Sequence, residues 1–206
     1  MKKSVLLSLF AFATSSALVA APTSFDFKDP KGVNTIQFKL DAPLEQIAGT
    51  TNGITGKIAF DPAAPEATSG TLTVDVASLT VPNKMMSEHI QGERWLDAAK
   101  HGQITFELAG LSDVQKNGNN YTAKARGKLT IKGTAKDVTV PVKLSYLPGA
   151  FGQRINKPEL KGDLLVVRGD FTVLRSDYGI NSGQIEDKVS NEIALSLAIV
   201  GGAPQS

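Results

Sequence analysis

The sequence predicts an all-β fold, an eight-stranded antiparallel barrel with a short inserted helical segment, and three observations carry that prediction. From Tyr121 onward the chain alternates without a slip: Tyr121, Ala123, Ala125, Gly127, Leu129 and Ile131 fall on one face, and Thr122, Lys124, Arg126, Lys128, Thr130 and Lys132 on the other. A period of two marks a half-buried strand. After the link Gly133-Thr134-Ala135-Lys136 the alternation resumes, with Val138, Val140, Val142, Leu144 and Tyr146 on the apolar face. The pair reads as an antiparallel hairpin, oily on one side and wet on the other. About eight such segments recur along the chain, the number whose closed barrel encloses one small ligand, and closure removes the edges that a long antiparallel sheet would expose.

The other elements follow in chain order. Strands are expected near Asn34 to Ala42, with Ile36, Phe38 and Leu40 inward, and near Ile47 to Asp61, with Ile54, Ile58 and Phe60 on the face shared by Gly56. Pro62, Pro65 and Gly70 then break the chain. Thr71 to Ala77 alternates again, Leu72, Val74 and Val76 opposite Thr71, Thr73 and Asp75. Between Asn83 and Lys100 the alternation stops and helix-forming residues appear; Ser87 is the expected N-cap, and Gly92 splits the segment into two short helical turns. Strands return at Gln103 to Leu108, extending toward Val114, and the turn Asn117-Gly118-Asn119-Asn120 leads into the hairpin. Two long strands complete the series, near Asp163 to Leu174 and Val189 to Val200. In the first, Leu165, Val167, Phe171 and Val173 share a face with Gly169; in the second, Val189, Ile193, Leu195, Leu197 and Ile199 face in.

Residues 1–21 have the layout of a secretory signal peptide: Lys2-Lys3, an apolar stretch from Val5 to Phe12, and small residues from Ala13 to Ala21. Thr14-Ser15-Ser16 interrupts what would need about 20 apolar residues to anchor in a bilayer. Residues 22–206 are therefore expected to be one exported domain. Removing Lys2 and Lys3 from the 22 basic residues leaves 20 against 20 acidic ones, a balance that argues against a nucleic-acid partner. With no cysteine there are no disulfides, and the domain must rely on its core. A membrane-spanning barrel is disfavoured, because the outward faces carry Thr, Lys, Arg and Asp, aromatic girdles are missing, and Gly-Gly-Ala-Pro-Gln-Ser follows the last expected strand.

Chemistry-bearing motifs are scarce. The chain has no cysteine nucleophile, no Gly-x-Ser-x-Gly elbow, no glycine-rich phosphate loop and no dinucleotide fingerprint. His89 and His101 flank the helical segment without a metal-site spacing, and Glu186-Asp187 reads as a solvated charge pair. No catalytic residue, metal site or cofactor is expected, and a non-enzymatic binding role is. The undersized inner face points the same way: Ala123, Ala125 and Gly127, with Gly56 and Gly169, leave space where a close-packed core would carry larger side chains. Either that space is an apolar cavity, or the glycines are bends and facing aromatics fill it. The candidate lining is Phe38, Phe60, Phe106, Ala125, Gly127 and Phe171, with Trp95 and Met86 near the mouth. On this expectation Gly127→Leu blocks the cavity and spares the fold. Trp95, the single tryptophan, reads with Met85, Met86 and Ile90 as a lid or as a plug in one end of the barrel.

Five blocks in order carry a resemblance. They are Phe60-Asp61-Pro62; Gly70 to Ser78; His89 with Trp95 to Lys100 and Ile104-Thr105-Phe106; Gly127 to Lys136 with Val138 to Val142; and Arg175-Ser176-Asp177-Tyr178-Gly179-Ile180. Through them the chain resembles the YceI-like family of lipid- or polyisoprenoid-binding proteins. It departs from that family's pattern at Asn83 to Glu88, where an arginine-rich lead-in is usual, and at His101-Gly102, where an aromatic and a proline are. The resemblance implies a lipocalin-like eight-stranded barrel in the periplasm, enclosing a long-chain isoprenoid or quinone-like lipid. A homodimer is one assembly open to such a barrel. The rival expectation is a protein-interaction module with a dry barrel, presenting Trp95 to a stress or respiratory partner.

Overall fold

The computed structural model describes residues 21–205, so the leader expected over residues 1–21 lies outside the described residues apart from Ala21. The strands are β1 (Thr23–Asp26), β2 (Thr35–Asp41), β3 (Gln46–Thr51), β4 (Ile54–Phe60), β5 (Ser69–Asp75), β6 (Gln103–Asn117), β7 (Asn120–Ile131), β8 (Thr134–Leu147), β9 (Gly162–Leu174) and β10 (Glu192–Pro204). They pair in the order β1-β4-β5-β6-β7-β8-β9-β10-β2-β3, and a further pairing of β1 with β10 closes the ring. Every pairing is antiparallel. Along β10, β1 meets Gly202 while β2 meets Ala194 to Ala198, so β1 and β2 form one interrupted wall; β3 and β4, their partners, form the next. The ten segments thus make the eight walls of a closed barrel.

Several boundaries differ from expectation, each for a local reason. β1 was not anticipated, and the wall expected from Ile47 to Asp61 is broken at Asn52-Gly53. The hairpin link is only Lys132-Gly133, with φ of 49° and 74°, the left-handed pair that a tight two-residue turn needs. Thr134 to Lys136 therefore already belong to β8, opposite Ile131 to Leu129. Gly201 to Pro204, expected beyond the last strand, extend β10 along Leu165 to Gly162, and Val189 precedes it. In the inserted segment one helix forms, α1 (Lys84–Gln91), capped by Asn83, whose side chain accepts the Met86 N–H at 3.1 Å. Ser87 is not the cap: it sits inside α1 and ties the helix back to Val81, accepting its N–H at 3.0 Å and donating to its carbonyl at 3.1 Å. Gly92 ends α1, and residues 93–100 are turns rather than a second helix. A single further turn, α2 (Phe151–Arg154), lies between β8 and β9.

Closure depends on a polar side chain. Between β1 and β2 the ladder along β10 is missing, and Asn34 fills the gap: its Oδ1 accepts the Val200 N–H at 2.9 Å and its Nδ2 donates to the Val200 carbonyl at 3.0 Å and the Phe27 carbonyl at 3.1 Å. A side-chain amide here replaces a strand residue, and it is wholly buried. Asp29 holds the loop that delivers it, accepting the backbone N–H groups of Lys31, Val33 and Asn34 and pairing with Arg154 at 3.1 Å. Burial pushes the Asp29 carboxyl up, but those donors together with Arg154 outweigh it and hold the group below its usual value.

The interior divides into two packed clusters. Phe25, Phe27, Phe60, Tyr121, Leu144 and Leu165 belong to the one at the β6–β7 turn end, and Phe38, Leu79, Leu96, Tyr178, Ile180 and Val189 to the one beneath α1. Replacing Asn34 by Leu leaves the Val200 N–H and C=O buried without partners. It is expected to lower unfolding stability by about 2–4 kcal/mol, read from the urea midpoint at unchanged slope.

Candidate functional site

Between the two clusters lies a cavity of ≈ 440 Å³, within the range of about 300–1,000 Å³ typical of small-molecule sites. Its walls are the inward residues of the strands, among them Ile36, Ile54, Leu72, Leu108, Val140, Val167 and Leu197. Alternation alone places them there, since each strand sends every second side chain inward. The polar side chains in the lining are Glu45, Thr51, Thr68, His89, Arg175 and Lys188, besides the Trp95 indole. Thr51 spends its hydroxyl hydrogen on Ser78, and Thr68 donates to the Pro65 carbonyl, so neither has a hydrogen left to donate to a guest. The other four come from the β2–β3 turn, α1 and the segment between β9 and β10, all at one end of the barrel.

The opposite end is shut by aromatic rings. Phe60 meets Tyr121 edge-on at 5.4 Å and Phe25 at 6.5 Å, and Phe25 meets Tyr146 at 6.3 Å. Such edge-to-face pairs each add about 0.5–1.5 kcal/mol beyond the area they bury. Tyr146 also donates to Asp163 at 2.7 Å; burial first and that bond second push its phenol up to about 12. One end is therefore packed and apolar, and the other is open and polar.

The open end is organised by Arg175, which is buried and lies at the end of β9 in a 3₁₀ turn, Arg175–Tyr178. Its Nε donates to the Ser190 carbonyl at 2.8 Å, Nη1 to Ile180 at 2.9 Å and Asn181 at 2.7 Å, and Nη2 to Val189 at 2.8 Å and Gln184 at 3.5 Å. Five backbone carbonyls match the five N–H groups of a guanidinium, a geometry no lysine can copy. Trp95 stands 5.6 Å from the guanidinium, ring face toward the cation. Burial draws the Arg175 group down from its usual value and Glu186 partly offsets this; it stays protonated. The segment of residues 180–190 is thereby wrapped around one buried cation, and from it Ile180, Ile185, Lys188 and Val189 line the cavity.

Of the residues expected at the site, Phe38, Met86, Trp95, Phe106, Ala125 and Phe171 all line this cavity. Phe60 does not: it is fully buried in the aromatic plug. Gly127 does not either, because the Phe106 ring already occupies the space beside it. A β-carbon there would lie 2.8 Å from that ring and collide with the Glu107 carbonyl, so Gly127→Leu would disturb the fold instead of sparing it. Gly56 has φ of 125° and is a backbone bend against Thr71, and Gly169 is covered by Leu197 and Val142. The cavity therefore comes from the girth of the barrel and not from its inner glycines, which serve close packing and bends, while Ala125 is the small residue that does face the space. His89, expected as a surface or loop histidine, is on α1, exposed at the rim while lining the opening. Arg175 and Lys188 were not anticipated as lining residues. The alternating residues beside each named candidate were the signal for the remaining wall.

Comparison with known proteins places this geometry in context. A family model described as a YceI-like domain matches residues 28–201. A UPF0312 protein of Ectopseudomonas mendocina (strain ymp) is 34% identical over 140 residues, covering 66% of this chain and 71% of its own. A UPF0312 protein of Yersinia pestis (strain Pestoides F) is 30% identical over 142 residues, covering 68% and 69%. Among solved structures, BcnA of Burkholderia cenocepacia superposes with a TM-score of 0.65 at 27% identity, covering 81% of this chain and 95% of that one. A polyisoprenoid-binding domain from Saccharophagus degradans gives a TM-score of 0.65 at 10% identity, covering 89% and 99%, a likeness of fold.

Replacing Arg175 by Met removes all five bonds to the mouth segment at once. It is expected to cost about 3 kcal/mol or more in stability and to raise amide exchange first across residues 180–190; Arg175→Lys is expected to rescue little of either.

Proposed function

The chain belongs to the YceI-like domain family, and on that premise we propose that it is a periplasmic carrier that sequesters a long isoprenoid or similar amphiphilic lipid inside the barrel, making and breaking no bond. The observation that carries this is the gradient of polarity along the cavity: an aromatic floor, largely aliphatic walls without a free hydrogen-bond donor, and Glu45, His89, Arg175 and Lys188 gathered at the opening. A chain with an oily tail and a polar head fits that gradient in one orientation, tail toward Leu165 and head toward Lys188.

Desolvation supplies the affinity. Each methylene buried contributes about 0.8 kcal/mol before ordering costs, so a long tail binds tightly with few polar contacts, and preformed walls keep those costs low. The polyisoprenoid-binding neighbour on the same fold supports the class of guest, and the leader-like residues 1–21 support export. Trp95 supports a carrier over an interaction module: it is half-buried, faces the cavity and is held beside Arg175.

Native mass spectrometry of the protein purified from its host tests this. The expected spectrum shows a lipophilic adduct that is lost on collisional activation; a bare chain mass from every preparation would contradict the carrier. Ala125→Leu adds bulk at a position that lines the cavity. It is expected to weaken binding of a long-chain fluorescent hydrocarbon roughly ten-fold, the equivalent of about 1.4 kcal/mol, with far-ultraviolet circular dichroism unchanged.

A further inference from the structure

The rim around the opening carries large apolar side chains that nothing among the described residues covers. Leu44, at the tip of the β2–β3 turn, is 67% exposed; Met85, on α1, is 65% exposed; Ile185, in the segment held by Arg175, is 48% exposed. They come from three separate stretches of chain, yet each adjoins the opening: Glu45 follows Leu44, Met86 and His89 share a helix with Met85, and Ile185 itself lines the cavity. The Leu44 N–H donates to the Asp187 carbonyl at 3.0 Å, fixing the hairpin tip against the mouth segment. The rim thus gathers exposed apolar groups from three stretches of chain beside the apolar lining.

We infer that this rim docks on a lipid bilayer, with Leu44, Met85 and Ile185 entering its interfacial layer so that the opening faces the acyl chains. The inference rests on the carrier function above, because a guest with a long oily tail has its reservoir in a bilayer and crosses water only at the cost of exposing that tail. Contact of rim and membrane gives it an apolar path from one to the other. Charge around the opening is mixed, with Lys84 and Lys188 against Glu45, Glu88, Glu186 and Asp187. Attraction to anionic lipid is therefore not the driving force, and a zwitterionic bilayer suffices. The outward face of β7, with Lys124, Arg126 and Lys128, is unlike the rim; the exposed Val33, Leu147 and Leu160 stand at the closed end, away from the opening.

Co-flotation with guest-free phosphatidylcholine vesicles tests docking, and binding of the apolar dye N-phenyl-1-naphthylamine in buffer tests the cavity. The double variant Leu44→Asp, Met85→Asp changes two rim positions that lie outside the cavity lining. Expected are flotation of the unaltered protein at least ten-fold above the variant, no more than a two-fold gain on adding phosphatidylglycerol, and dye binding equal in both within two-fold. Equal flotation of the two proteins, or failure of both to float, overturns membrane docking even where dye binding is intact, and in the second case leaves the rim to a protein partner. Flotation lost in the variant with no dye bound by either protein supports docking and instead contradicts the carrier.

Discussion

Everything in this molecule follows from the need to close a sheet of eight walls without leaving a buried backbone group unpaired. The difficult place is where β1 gives way to β2, since a single short strand cannot follow the full length of β10. The Asn34 amide completes the ladder there, meeting both backbone groups of Val200 as a strand residue would, while Asp29 and Arg154 fix the loop that carries it. Once the ring is shut, alternation does the rest. Polar side chains face water, aliphatic ones face in, and the girth of the barrel is more than its inward side chains fill.

The two ends then resolve that surplus space differently. At one, Phe25, Phe60, Tyr121 and Tyr146 interlock, three of their contacts edge to face and that of Phe60 with Tyr146 tilted, and they leave no room. At the other, no ring stack forms; α1 and the 180–190 segment arch over the opening, and the buried Arg175 charge organises them through five carbonyls and the Trp95 face. A hydrocarbon plug holds by dispersion and would resist entry of anything. A cation caged by backbone dipoles holds a segment in shape while its apolar side chains remain available to line a passage. That asymmetry gives the cavity a direction, and a direction is what an amphiphile requires.

Much of the wall was legible in the sequence because a period of two needs no tertiary information: the inward residues of β2, β5, β7, β8 and β9 can be read from Ile36, Leu72, Leu129, Val140 and Phe171. The eight-walled barrel was legible for the same reason, and Phe38, Met86, Trp95, Phe106, Ala125 and Phe171 do meet around one space. What could not be read depends on groups far apart in the chain. Whether a glycine thins a wall or admits a neighbour is decided across strands, as Phe106 against Gly127 shows. Phe60 faces inward as expected, but its height along the barrel puts it in the plug. β1 is only Thr23–Asp26, too short for alternation to register. Arg175 stood inside a family block, yet its purpose exists only once five carbonyls of the following segment have folded around it.

The central claim is that one guest lies along the cavity with its apolar end at the aromatic floor. The direct measurement is isotope-filtered nuclear Overhauser spectroscopy on the protein with labelled Ile, Leu and Val methyl groups and an unlabelled long-chain isoprenoid alcohol. The expected result is contact from the tail terminus to Leu165 and Leu144 at the closed end, together with contact from the carbons next to the head to Ile180 and Val189 at the open end. Contacts confined to the rim residues, or the absence of any contact to Leu165 at saturating guest, would contradict the account.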